Sequence, residues 1–393
     1  MSRCFFPVAF AAIVTFPAAL QGQEKSAPKK RPNILYIMSD DHASAAIGAY
    51  DSWLKKVVRT PNLDRLARQG IRFKNSLVTN SICTPCRAAI LTGQYAHKNG
   101  VYTLGDSIDP TRIHIGHLLR ALGYQTALVG KWHLGTDPAG FDYWNILPGQ
   151  GVYIQPKLRE MGMKKPRGYD GYSEDVITDL SLEWLKKRDP NKPFMLMCHF
   201  KAPHRPWDPA PRFENLYKDV TIPEPETLLD DYKGRSKSTA DAKLRMEDMV
   251  QRDLGVPIPK NLSRDELRRW AYQIYMKRYL SCVAAVDENV GRLLAFLEQN
   301  GLAEDTIVIY TSDQGFFLGE HGFFDKRFMY EPCLTTPLII RYPPLTKAGA
   351  AHESMVLNID HAPTFLDLAG AAIPKDMQGK SYKALLSGGE PPG

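Results

Sequence analysis

Four apolar runs of strand length in this chain each end abruptly in a cluster of polar side chains, and no other feature restricts the fold as much. Asn33 to Ser39 stops at Asp40, Asp41 and His42, and Thr126 to Gly130 stops at Lys131, Trp132 and His133. Phe194 to Phe200 runs into Ala202, Pro203, His204, Arg205, Pro206 and Trp207, and Thr306 to Thr311 into Ser312, Asp313, Gln314 and Gly315. Continuous apolar runs are those of strands buried on both faces. Helical patterns lie between them. Thr60 and Pro61 open a helix, as N-cap and first residue, that Gly70 closes; another runs from near Ile113 to Leu122 and stops at Gly123. Ser173 can cap a helix to about Lys187, and Ser263 with Glu266 forms a capping box before a pattern that persists to Gln299. Pro337 to Tyr342 is a further strand, and Ile359 to Ala369 a helix closed by Gly370. Alternating strands and helices predict an α/β fold, a large, mostly parallel central sheet flanked by helices on both faces. Ligands bind such sheets beyond the C-terminal strand ends, where all these polar clusters fall.

Cys83, Thr84, Pro85, Cys86 and Arg87 lead into the apolar stretch Ala88 to Leu91 and end at Gly93. Thr84 or Cys83 can cap the helix that Pro85 opens, and Gly93 can end it in a left-handed conformation. Cys83 would lie just outside the helix N-terminus, where the dipole favours an anion, and Arg87 can reach back to it. Taken alone, the segment reads as a buried cysteine before a capped helix.

Residues 1–22 carry one charge, Arg3, and an apolar stretch from Cys4 to Leu20 broken by Pro7 and Pro17, which reads as a secretory signal peptide. Residues 23–31 read as a charged linker, 32–385 as the folded domain and 386–393 as a tail. The protein is expected to be secreted or periplasmic, with no membrane span after signal cleavage. The net charge of +7 becomes +6 without Arg3, a mild excess that suits an anionic substrate, and no Lys/Arg-rich block points to nucleic acid. Five cysteines remain without Cys4; Cys198, Cys282 and Cys333 lie in apolar surroundings, and no disulfide is expected. Residues 208–262, rich in Pro, Asp and Lys with little periodicity, read as a surface excursion over the site.

Adjacent Asp40 and Asp41 are by themselves a turn or a helix cap. With Asp313 and Gln314 they become an all-oxygen donor set that suits calcium, and magnesium after it, and fits zinc poorly. Lys131 and His133, two apart on an extended segment, point the same way. Two lysines, Lys131 and Lys326, near a divalent cation call for an anion among them, although Lys326 also reads as a solvated surface lysine. His133 and His204 supply imidazoles for proton transfer near neutrality, or are ordinary strand-end histidines.

Together these positions resemble the sulfatase family of the alkaline-phosphatase-like fold, over about residues 32 to 385. The resemblance rests on Cys83-X-Pro85-X-Arg87, on Asn33 to Asp41, Thr60 to Leu66, Gly130 to Gly135, Ser312 to Gly315 and Asn358 to Gly370, in the family's order. It implies that Cys83 is converted to formylglycine by a formylglycine-generating or anaerobic sulfatase-maturating enzyme. Asp40, Asp41, Asp313, Gln314 and the residue made from Cys83 would hold the cation. Lys131 and Lys326 would hold sulfate oxygens, His204 would protonate the leaving alcohol, His133 would help to expel sulfate, and Arg87 would orient the modified residue.

The substrate implied is a sulfated carbohydrate. Phe141 to Trp144, Gly149 to Gly151, His204 to Trp207 and Gly319 to Gly322 resemble carbohydrate sulfatases, including the N-acetylglucosamine-6-sulfatase-like group. Arg205, Trp207 and His321 are the candidate substrate contacts; Trp207 reads equally as loop packing. Cys86 stands where serine is frequent, and Gln314 where Asn is. The chain ends soon after Lys380, so the family's small C-terminal subdomain is expected to be missing and the chain truncated. A formylglycine-dependent phosphonate or phosphate monoester hydrolase is the nearest alternative. The other is a non-catalytic binder of sulfated glycans with Cys83 left as a thiol.

Overall fold

The computed structural model describes residues 1–2 and 31–390; the expected signal peptide beyond Ser2, the linker through Lys30 and residues 391–393 of the tail lie outside them. Twelve strands are named in chain order: β1 Asn33–Ser39, β2 Ile71–Leu77, β3 Gln125–Lys131, β4 Tyr143–Leu147, β5 Lys157–Glu160 and β6 Arg167–Gly168, then β7 Phe194–His199, β8 Thr306–Ser312, β9 Phe317–Leu318, β10 Phe324–Asp325, β11 Leu338–Arg341 and β12 Ala350–Leu357. Ten of them form one sheet in the order β12-β2-β11-β8-β1-β7-β3-β4-β5-β6, and β9 pairs with β10 in a small ribbon. The centre, β8-β1-β7-β3-β4, is parallel throughout, whereas β11 runs against both its neighbours.

Alternation along β1 explains the layers. Leu35 and Ile37 face a core shared with the long helix Arg264–Gln299, the helix Ser173–Lys187 and α1, Pro61–Gln69. Ile34, Tyr36 and Met38 face a second core with α2, Cys83–Thr92, and the helices Ile115–Ala121 and His361–Leu368. Both faces are covered, as continuous apolar strands require. Gly130, with φ +106, is where β3 and β7 come closest: a Cβ there would lie 1.9 Å from the His199 carbonyl oxygen.

The expected helices are present, but several ends are held differently. Thr60 does not cap α1; its hydroxyl accepts from the Gly48 N–H and donates to Asp64. The free N–H groups of Asn62 and Leu63 are taken instead by Asp287 on the long helix, at 3.0 and 2.8 Å. Ser173 donates to Glu174 rather than capping. The Ile115–Ala121 helix is capped by His114, whose Nδ1 accepts from the Gly116 N–H at 3.1 Å. Ser263 and Glu266 form the expected capping box. The excursion 208–262 is not a free surface loop. It has little regular structure, yet it buries Tyr217, Ile222, Leu228, Met246, Met249 and Leu254 in the core beside the long helix. Cys83, Cys86, Cys198, Cys282 and Cys333 are all buried thiols. Among the described residues, no helix is long and apolar enough to cross a membrane.

Candidate active site

The ends of β8, β1, β7 and β3 meet the start of α2. Cys83 is the first residue of that helix, not the residue before it, and the N-cap is Ile82, which offers no side-chain bond. Thr84 does not cap either; its hydroxyl donates to the His133 carbonyl at 3.0 Å and ties α2 to the segment after β3. Gly93 closes the helix with φ 65, as expected.

Around the Cys83 sulfur lie Asp40 Oδ1 at 3.5 Å, Gln314 Nε2 at 3.5 Å, Lys326 Nζ at 3.7 Å and Lys131 Nζ at 3.9 Å. All of these residues are at most 3% exposed. Burial pushes the Cys83 thiol up to about 12, with Asp313 and Asp41 adding to it against Lys326, so at neutral pH it is a neutral thiol and a poor nucleophile. Arg87 places Nε and Nη2 at 2.9 and 2.8 Å from Asp313 Oδ2 and donates through Nη1 to the Lys131 carbonyl at 2.6 Å. Cys86 points away from Cys83, donating to the Asp313 carbonyl and accepting from Asn358 Nδ2 at 3.1 Å. It holds the Asp313 turn in place.

Lys131 donates to Asp40, and Lys326 to both oxygens of Asp41 at 2.5 and 2.6 Å. Burial would drive the Lys326 ammonium down, but Asp41, Cys83 and the nearby Asp325 and Asp313 outweigh it and hold it above its ordinary value. The surface-lysine alternative fails, because Lys326 is buried in the cluster. Oxygens of Asp40, Asp41 and Asp313 lie within 4.8 Å of one another. Gln314 Oε1 is buried without a hydrogen-bond partner. Three converging carboxylates and an orphaned amide oxygen, in surroundings that raise the Asp41 carboxyl by burial, fit a hard divalent cation.

His204 and His133 stand at the edge of the cluster. His204 Nε2 is 3.9 Å from Asp41 Oδ2, while Nδ1 lies 2.6 Å from the Arg205 carbonyl and so carries the proton. Burial, then the charges of Lys131, Lys326 and Lys201, hold His204 well below the usual histidine range. His133, with φ 55, is pushed down to about 3 by burial and by Lys131 and Arg87. Both imidazoles are therefore neutral before an anion arrives.

The expected substrate contacts Arg205, Trp207 and His321 are each engaged by partners within the chain. Trp207 is fully buried, edge-on to Tyr275, Phe316 and Phe324, so it packs the core and cannot stack on a sugar. Arg205 is spent on Asp253 and on Asp325, the latter at 3.3 Å, which fasten the excursion beside His204. His321 contacts Asp230 at 2.7 Å and Tyr330. Sequence reasoning missed three residues that frame the cluster. Gln150 accepts from Lys131 Nζ at 2.6 Å, and His199 meets the Lys131 carbonyl at 3.1 Å. Lys201 is buried over the Tyr153 ring at 4.6 Å. The pair Gly149 and Gly151 around Gln150, with φ 54 and 67, was the one signal of a shaped loop.

A protein-family model described as Sulfatase matches residues 32–371. The chain is 43% identical over 404 residues to an N-acetylglucosamine-6-O-sulfatase of Bacteroides thetaiotaomicron, covering 91% of this chain and 71% of that protein. It is 30% identical over 380 residues to an extracellular sulfatase SULF-1 homolog of Drosophila melanogaster, of whose length it spans 32%. It superposes with a TM-score of 0.88, at 42% identity, on a solved protein in complex with its substrate D-glucosamine-2-N,6-O-disulfate, covering 92% of this chain and 82% of that one.

Proposed function

This chain belongs to the sulfatase family, hydrolases of sulfate esters with the alkaline-phosphatase-like fold. On that premise we propose that it is an exported enzyme that removes sulfate from a sulfated carbohydrate, an amino sugar sulfated at oxygen 6, using a divalent cation and a formylglycine made from Cys83. The observation that carries this reading is the convergence on one buried cysteine of two lysine side chains, Lys131 and Lys326, and three carboxylates at the sheet's C-terminal edge. Burial lowers the Lys131 ammonium well below its ordinary value, and an arriving anion would favour its charged form. The relative at 43% identity is named an N-acetylglucosamine-6-O-sulfatase, which supports the substrate class.

Bound at this site, the hydrated aldehyde would supply a nucleophilic hydroxyl, and a calcium ion held by Asp40, Asp41, Asp313 and Gln314 would supply charge against the sulfate oxygens. The chain's own residues do the rest. Lys131 and Lys326 flank position 83 and bind the tetrahedral anion; Arg87 fixes the Asp313 carboxylate and, through the Lys131 carbonyl, the end of β3. His204, protonated on Nδ1, presents a bare Nε2. A bound sulfate monoester, a monoanion, offsets part of the lysine charge, so Nε2 can take up a proton and pass it to the leaving alcohol. His133, on the α2 side, is placed to take the proton released when sulfate departs.

Peptide mass spectrometry across Ile82 to Arg87 of the secreted protein tests this. A loss of about 18 Da at Cys83, thiol replaced by aldehyde, is expected. An unmodified Cys83, from a host that matures other sulfatases, would leave the glycan-binder reading in its place.

A further inference from the structure

A cavity of about 310 Å³ opens beside the cluster, with His133 and Gly149 in its wall. Gly149 adjoins Gln150, which accepts from Lys131, so the cavity shares His133 and this loop with the cluster. A larger cavity of about 600 Å³, between β4–β6 and the Ser173–Lys187 helix, touches none of the cluster residues. The smaller one is at the low end of ligand pockets, which run about 300–1,000 Å³, and has room for about one sugar ring.

Its wall carries one fixed acceptor and one fixed donor. Asp106 holds its own turn by accepting from the N–H groups of Tyr102 and Thr103 at 2.8 and 2.7 Å through Oδ2, which leaves Oδ1 to accept from a ligand. Among the described residues no cation pairs with it. Arg159 lies 4.9 Å over the Trp144 ring and is paired with Asp137, so its guanidinium is held in one orientation. Gly135, with φ +76, brings the two sides together: a Cβ there would lie 1.9 Å from the Ser107 hydroxyl. We propose that this cavity is the subsite for the uncharged, hydroxyl-bearing part of the sugar substrate, with Asp106 accepting from and Arg159 donating to its hydroxyl groups. The inference rests on the sulfatase reading for its substrate class. A second sulfate is the poorer occupant, because the Arg159 charge is already met by Asp137 while the Asp106 carboxylate is not compensated.

The test uses Asp106→Asn, which can keep the turn, and Arg159→Lys, which keeps the charge and loses the planar fork. The Arg159 pair with Asp137 is partly exposed, so its loss costs little stability. Calorimetric titration in a Cys83→Ala background measures Kd for N-acetylglucosamine 6-sulfate and for inorganic sulfate. Each variant is expected to raise the ratio of the first Kd to the second at least fivefold. In the matured enzyme, kcat/KM for the sugar sulfate relative to 4-nitrophenyl sulfate should fall by a similar factor, chiefly through KM. Unchanged ratios overturn the proposal, and so does weakening of both ligands together. A change confined to glucosamine 2-N,6-O-disulfate would assign the cavity to a second sulfate and also overturn it. If the matured wild type releases sulfate from neither ester while the Kd ratio still moves, the sulfatase reading falls and the subsite stands.

Discussion

Arg87 is the residue on which the cluster's geometry most depends. It is 2% exposed and joins the turn after β8 to the end of β3 through Asp313 and the Lys131 carbonyl. A lysine at 87 would keep the charge but reach one of those acceptors at a time, leaving the other buried without its donor. Arg87→Lys is therefore expected to cost about 2–4 kcal/mol of stability, in the range for breaking a buried charged pair. It should also lower kcat at least tenfold, because Asp313 and Lys131 lose their common anchor. Urea unfolding and sulfate release measure the two effects, and a variant with the wild-type midpoint would show that the charge alone suffices. The family motif marks Arg87 and implies that it orients the modified residue 83; its bonds to Asp313 and to the Lys131 carbonyl, both remote in sequence, were not legible there. Trp207 read equally as a sugar platform and as packing, and packing holds; the sequence could not decide, because its burial comes from Tyr275, Phe316 and Phe324, which lie far along the chain.

Among elements, β1, β3, β7 and β8 were legible almost to the residue, since strands buried on both faces write themselves as unbroken apolar runs, whereas the neighbouring β4, Tyr143–Leu147, was missed. The last two strands on one side of the sheet were not legible either. β2 and β12, Ile71–Leu77 and Ala350–Leu357, mix charged and apolar residues because each is partly exposed, and only pairing with a neighbour identifies them. Helix ends divide the same way. The capping box at Ser263 is local and was visible, whereas α1 is capped across 224 positions by Asp287. That cap has a pH signature. Burial raises the Asp287 carboxyl from 3.8 to about 6, despite the N–H groups that it accepts from. A folded-state value above the unfolded one means stability that is fully present below about pH 4 and lost as pH rises through about 6. Asp287→Asn stays neutral, and the Asn62 amide, which now donates to Asp287, can turn to accept from it. Between pH 4.5 and 7.5 the variant's stability relative to wild type should rise, by about 2 kcal/mol of the roughly 3 that a shift of this size spans in full. A difference that stays constant with pH would show that Asp287 is ionised throughout.

At the scale of the whole molecule, the site sits where four parallel strands and one helix start or stop, so what binds there also braces the sheet. The layer order and the edge that carries the chemistry followed from strand-end polarity. The direction of β11, antiparallel within an otherwise parallel neighbourhood, did not, since a buried strand of four residues reads the same in either direction. The carboxylates of Asp40, Asp41 and Asp313 converge from β1 and β8 and are met by Lys131, Lys326 and Arg87. Those cations leave Gln314 Oε1 unpartnered and the Asp41 carboxyl still raised, by burial and by the Asp313 charge, which a divalent ion would relieve. Calcium should therefore bind the folded state and not the unfolded chain. At a hundredfold excess over Kd, that adds about 2.7 kcal/mol and raises the melting temperature by roughly a few degrees. Protein dialysed against chelator should melt lower and recover with calcium, less with magnesium, whose demand for near-octahedral geometry this flexible set meets poorly. Asp313→Asn should abolish the calcium-dependent part of the shift. Equal melting temperatures with chelator and with saturating calcium would mean that the three cationic side chains balance the carboxylates by themselves, and the cation reading would fall.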